Sequence, residues 1–210
     1  GIDYLLFRRG PLTMAPSQFG IFTKSDKRFD TPNIEFHIQP LSLDSFGKPL
    51  HKFPGLTVSV CNLRPLSRGT VSLSSSNPFD KPKIAPNYLS NYEDQQVAAE
   101  SILKARELMA TNEMAVFEPE EFLPGKNFIK PEELVQEAGK ISTTIFHPVG
   151  TAKMGSDNDP MAVVNNKLKV RGFKNLRVVD GSVMPVITSG NTHTPIVMIA
   201  EKASEMILND

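Results

Sequence analysis

The sequence has 210 residues, 23 of them Lys or Arg and 23 Asp or Glu, so its formal net charge is zero. That balance gives no electrostatic footing for nucleic acid or an anionic membrane surface, and no apolar run nears the ~20 residues that span a bilayer. The 40% apolar share suffices for a packed core, while the single cysteine, Cys61, excludes an internal disulfide and a thiolate metal cluster.

In chain order, Tyr4-Leu5-Leu6-Phe7 reads as a short helix that gives way to a loop through Arg8-Arg9-Gly10-Pro11-Leu12, and Gln18 to Thr23 as a strand. From Ile34 to Gln39 apolar and polar residues alternate, with Ile34, Phe36 and Ile38 on one face and Glu35, His37 and Gln39 on the other. This is the pattern of a half-buried antiparallel strand and puts His37 on the polar, water-facing side. His51 falls in a loop, and neither histidine is given a catalytic role. Leu56–Leu63 and Gly69–Ser75 read as two paired strands reversed at Pro65 and Gly69. Cys61 sits in the first as a small packed apolar side chain, and Arg68 is read as a turn arginine that binds backbone carbonyls.

Asn77 to Tyr88 is extended and punctuated by proline. Ser90 or Asn91 then caps a helix over Tyr92–Met109, with Val97, Ile102, Ala105 and Leu108 as its buried stripe and Glu100–Lys104 as an exposed i,i+4 pair. Phe117 to Phe128 reads as an irregular loop whose glutamates are solvated. Another helix starts at Pro131, with Glu132 and Glu133 in its first turn.

The last third carries the chemistry. His147 follows Thr143-Thr144-Ile145-Phe146 and precedes Pro148 and Gly150, which describes a strand-to-turn corner. Such a histidine is either an ordinary hydrogen-bonded residue or, in the right surroundings, an acid or base. Leu176 to Asp180 reads as a buried strand ended by Gly181. Asp180 there either caps the following turn or faces a ligand at a strand end. Thr194 and Pro195 read as the N-cap and first residue of a helix whose Ile196, Ile199, Ala200, Ala203 and Ile207 share one face. That helix is either a capped core helix or one whose N-terminus faces negative charge. A metal site of His147, His193 and Asp180 lacks tight ligand spacing, and no metal is assigned. No Gly-x-Gly-x-x-Gly or Gly-x-x-x-x-Gly-Lys loop occurs.

Taken in order, Phe146-His147-Pro148-Val149-Gly150-Thr151, Leu176 to Pro185 and Ser189-Gly190-Asn191-Thr192-His193-Thr194-Pro195 resemble the C-terminal part of glucose–methanol–choline (GMC) flavoprotein oxidoreductases. Arg64-Pro65-Leu66-Ser67-Arg68-Gly69 and Asn77 to Tyr88 match the same family pattern. The resemblance implies an α+β fold. Residues 1–145 are then a substrate-binding domain, an antiparallel sheet with helices packed on it. Residues 146–210 form a β–loop–α segment that packs into a flavin domain. It implies FAD-dependent oxidation of a primary alcohol, with choline as the alternative substrate, and a non-catalytic binding domain of the same fold as the rival. His147 falls at the family's catalytic histidine position and Asn191 at that of its partner, while Asp180, Gly181, Thr192, Thr194 and Pro195 fall near the flavin. The sequence opens at Gly1 without methionine or a secretory leader and reads as a C-terminal part lacking the FAD phosphate loop. By itself it is therefore expected to hold no FAD and to be inactive. The partners implied are an alcohol and a quinone or other acceptor, in a cytoplasmic setting or at the inner-membrane periphery.

Overall fold

The computed structural model describes residues 2–15, 17–45 and 47–210; Gly1, with which the sequence opens, lies outside them. In chain order its elements are α1 Ile2–Phe7, β1 Phe19–Thr23, β2 Ile34–Gln39, β3 Thr57–Asn62, β4 Thr70–Ser72, β5 Lys83–Ala85, α2 Tyr92–Met109, α3 Asn112–Ala115, α4 Pro131–Ile141 and α5 His193–Leu208. This mixture of helix and antiparallel sheet is the α+β class expected from the sequence. No helix among the described residues is long and apolar enough to cross a membrane.

The chain divides into two compact units, the first comprising Gly1–Asn62 and Gln95–Ser142 and the second Leu63–Asp94 and Thr143–Asp210. In the first, β1, β2 and β3 form an antiparallel sheet in that order, with Phe36 opposite Ile21 on one side and Val60 on the other. The apolar face of β2 packs against α2: Ile34, Phe36 and Val97 are buried, and Ile21, Val58, Val60 and Ala105 surround them. Each such fully buried side chain contributes roughly 1.5–3 kcal/mol.

The other face of β2 departs from expectation. Glu35 is only 4% exposed and His37 is half-buried, so the polar side of this strand does not face open water. One glutamate of α2 and one of the following loop also differ from their sequence reading, while Glu118 and Glu120 are exposed as expected. Glu100 accepts from Ser25 Oγ at 2.7 Å and from the Arg28 guanidinium, while Lys104 pairs with Glu107 at 2.5 Å instead. Glu121 is not solvated: both its oxygens accept from Arg106, at 2.8 and 2.9 Å, and Arg106 also donates to the carbonyls of Gly125 and Phe128.

In the second unit β4 pairs with β5, not with β3. The segment between β3 and β4 is tied instead to α2. Leu66 N–H and Ser67 N–H donate to the buried Asp94 carboxylate at 2.9 and 2.6 Å, in the first turn of α2. Asn91 accepts from Glu93 N–H at 2.9 Å and starts that helix where the sequence places it. Arg68 donates to the carbonyls of Pro65 and Ser67, as a turn arginine should. The core of this unit is Val164, Leu168, Val183, Met184, Ile199 and Ala203, with Val149, Val178, Val179 and Ile196 packed against it.

Candidate active site

Every residue singled out in the last third lies in the second unit. Thr143 to Phe146 forms no strand. Its β-branched residues form an irregular connection, closed by Phe146 in a left-handed conformation (φ +62°) whose N–H donates to Thr144 Oγ1 at 3.0 Å. His147 follows, half-buried, and Val149, two residues on, anchors the loop in the core.

From Gly150 the chain runs beside the second motif. Ala152 N–H donates to the Ser182 carbonyl at 3.0 Å, and Met154 N–H to that of Val183 at 2.8 Å. Gly150 has φ +89°, and a Cβ there would meet the Met184 carbonyl oxygen at 3.4 Å. Its left-handed conformation calls for glycine, while the space around it would accept a Cβ in ordinary contact.

The second motif is a turn, not the buried strand expected over Leu176–Asp180. Leu176 is exposed, Val178 and Val179 are half-buried, and the ordered contact is a single bridge from Arg177 to Lys169. The loop closes on itself through Val170 N–H to the Leu176 carbonyl and Val178 N–H to that of Leu168, which fixes it without a sheet. Asp180 caps a 3-10 turn over Gly181–Val183: its Oδ1 accepts from Ser182 N–H at 2.8 Å and from Ser182 Oγ–H. A Cβ on Gly181 would stand 3.0 Å from Ile196 Cδ1, so this turn seats directly on the first turns of α5.

The third motif also starts its helix earlier than its sequence suggests. Thr192, not Thr194, is the N-cap, and its carbonyl accepts from Ile196 N–H at 3.1 Å. His193, Thr194 and Pro195 therefore occupy the first three helical positions. Pro195 still costs nothing there, because the first N–H groups of a helix have no intrahelical acceptor. Thr192 is 4% exposed, whereas Asn191, His193 and Thr194 are exposed and Pro195 half-buried. Ser189, in a left-handed turn (φ +59°), accepts from Arg64 Nε at 3.0 Å. That tie reaches back 125 residues and no local sequence pattern announces it.

The three motifs are thus one assembly. The loop carrying His147 is stitched to the 182–185 segment, and that segment is seated on the helix that follows Asn191. The donor chemistry suits a flavin ring edge, since α5 presents N–H groups and the positive end of its dipole between exposed Asn191 and Thr194. Nothing in the sequence supplies a pyrophosphate loop, so these residues fit the ring and not the whole dinucleotide.

A family model described as GMC oxidoreductase matches residues 65–200. An alcohol dehydrogenase [acceptor] of Pseudomonas putida is 41% identical over 206 residues, 98% of this chain and 37% of the relative. An oxygen-dependent choline dehydrogenase of Vibrio vulnificus (strain YJ016) is 38% identical over 209 residues, covering all of this chain and 37% of the relative. The chain thus spans well under half the length of these relatives. Among solved structures, a pyridoxine 4-oxidase from Mesorbium loti superposes with a TM-score of 0.83 at 27% identity, over 93% of this chain and 38% of that one. A formate oxidase of Aspergillus oryzae RIB40, described for its FAD modification, gives 0.83 at 26% identity, over 98% and 40%.

Proposed function

We propose that this chain, which belongs to the GMC oxidoreductase family, supplies the proton-handling residues of a flavin-dependent alcohol dehydrogenase. In this reading residues 1–145 bind substrate and 146–210 complete the flavin domain of the complete enzyme. The observation that supports it is the shared seating of the two motif loops. His147 lies three residues before the glycine laid against Met184, and Asn191 one residue before the buried cap of the helix on which Gly181 rests.

When bound, FAD supplies the acceptor for the hydride leaving the alcohol carbon. His147 takes the hydroxyl proton, which requires a neutral imidazole within hydrogen-bond reach of that oxygen. The Asn191 side-chain N–H donates to the same oxygen as negative charge grows on it, and it does so without titrating. The amides of His193 and Thr194 at the start of α5 offer donors and a positive dipole to the pyrimidine edge of the flavin. Asp180, by capping the Gly181–Val183 turn, positions the backbone against that helix.

Relatives named alcohol dehydrogenase and choline dehydrogenase match at 41% and 38% identity, so choline is the second substrate class to weigh. Steady-state turnover of the complete enzyme on unbranched primary alcohols and on choline tests the reading. Aldehyde formed from the neutral alcohols with the higher kcat/KM is expected. Preference for choline would replace the substrate, and no oxidation of either would overturn the enzyme.

A further inference from the structure

We infer that Glu35, His37 and Cys61 form a binding site for a divalent metal ion of the zinc class on the polar face of the β1–β2–β3 sheet. Glu35 and His37 are two residues apart on β2, so their side chains share a face. Cys61 is the direct cross-strand partner of Glu35 on β3. Strand register therefore gathers one carboxylate, one imidazole and one thiol, and a ligand atom from each lies within 4.8 Å of the other two. The ligands around a tetrahedral zinc ion, bound at about 2.0–2.3 Å, stand about 3.3–3.8 Å apart, so these side chains need close by no more than about 1.5 Å to grip one.

The second observation is that the site is unsatisfied. Glu35 is 4% exposed, and both its Oε2 and His37 Nε2 are buried without a hydrogen-bond partner. The remaining contact, Glu35 Oε1 to His37 Nε2 at 3.6 Å, is too long for a hydrogen bond. A buried carboxylate with no donor is costly, and a cation between these groups removes that cost for both. Burial, and then the negative charge of Glu35, push the Cys61 thiol up to about 11. A bound cation reverses that balance, because the thiol ligates as thiolate and gives up its proton to solvent.

The ligand types decide the class of ion. Thiolate and imidazole favour zinc over the hard, oxygen-seeking magnesium and calcium. Three protein ligands leave a fourth position for water. This site does not rest on the alcohol-oxidation reading, since its readout is metal binding and not turnover.

The test is titration of the metal-free complete enzyme with Zn2+ against a chromophoric chelator, and with Co2+ followed by absorbance as a difference spectrum. One equivalent of Zn2+ is expected, with a thiolate-to-cobalt charge-transfer band and tetrahedral ligand-field bands. Cys61→Ser should abolish the charge-transfer band, and Glu35→Gln and His37→Gln should each weaken Zn2+ binding at least about 10-fold. Absence of stoichiometric Zn2+ binding, or of the charge-transfer band in the unsubstituted protein, overturns the site even if a variant fails to fold. Unchanged affinity in the variants overturns it equally.

Discussion

The carbonyl oxygen of Met184 lies 3.4 Å from the point at which a Cβ on Gly150 would stand, and Gly150 itself is left-handed at φ +89°. The loop that carries His147 thus runs close against the second motif, which also holds it through Val149 in the core and the Ala152 and Met154 amides. Gly150→Ala should cost about 1–2 kcal/mol from the left-handed conformation, since a Cβ there meets the Met184 oxygen only at contact distance. Chemical denaturation of the 210-residue protein checks this. A loss below about 0.5 kcal/mol would show that the turn relaxes freely.

Arg106 makes four donations, two of them to Glu121. Both side chains of the pair are under one-quarter exposed, and charge-assisted bonds of this kind are the strong ones. Arg106→Ala should lower stability by roughly 2 kcal/mol, whereas Ala at the exposed Glu120 should stay within about 0.5 kcal/mol. Equal effects in thermal melts would remove the special role of this cluster.

Asp210 is held below the usual carboxylate range, down to about 2, first by its hydrogen bond from Lys169 and then by that from Arg177. A carboxylate with a depressed folded-state value stabilises above its ordinary value of 3.8, and that stability is lost as the pH falls toward 2. The melting temperature should therefore drop between pH 4 and pH 2 more steeply in the parent than in Asp210→Asn. Parallel curves would mean that the carboxylate contributes nothing there.

The sequence has no pyrophosphate loop, and the donors proposed at the start of α5 would reach one ring edge only, too little to hold a dinucleotide. The 210-residue protein should purify colourless and remain so after dialysis with FAD. Flavin absorbance near one equivalent would contradict this.

Periodicity and capping chemistry are local, and what they specify was legible. Asn91 and Pro131 start α2 and α4 where the sequence places them, and the alternation over Ile34–Gln39 is a strand. What covers a face is not local. Alternation told that Glu35 and His37 share a side of β2, but their burial depends on the strands and loops around them. The pairing of β4 with β5 was missed because the strand partner lies across the proline-punctuated connection, where local alternation carries no signal. The β-branched run before His147 misled for the same reason, since a strand needs a partner that no local pattern supplies. At α5 the sequence pattern points to Thr194 as the cap, two residues past the actual one at Thr192. The carbonyl of Thr192, which takes the first helical hydrogen bond, decides between them. The order of the three motifs was readable, whereas the stitching of Ala152 to Ser182 and of Arg64 to Ser189 was not.

The rate of flavin reduction by a primary alcohol, followed anaerobically in the complete enzyme and three of its variants, tests the proposed His147–Asn191 pair most directly. His147→Ala should slow it roughly 100-fold or more with flavin still bound, the scale of losing a positioned base. Asn191→Ala should cost on the order of 10²-fold, the scale of a lost oxyanion donor, and His193→Ala only a few-fold. Reduction by His147→Ala within a few-fold of the parent, or greater damage from His193→Ala than from Asn191→Ala, would contradict the assignment.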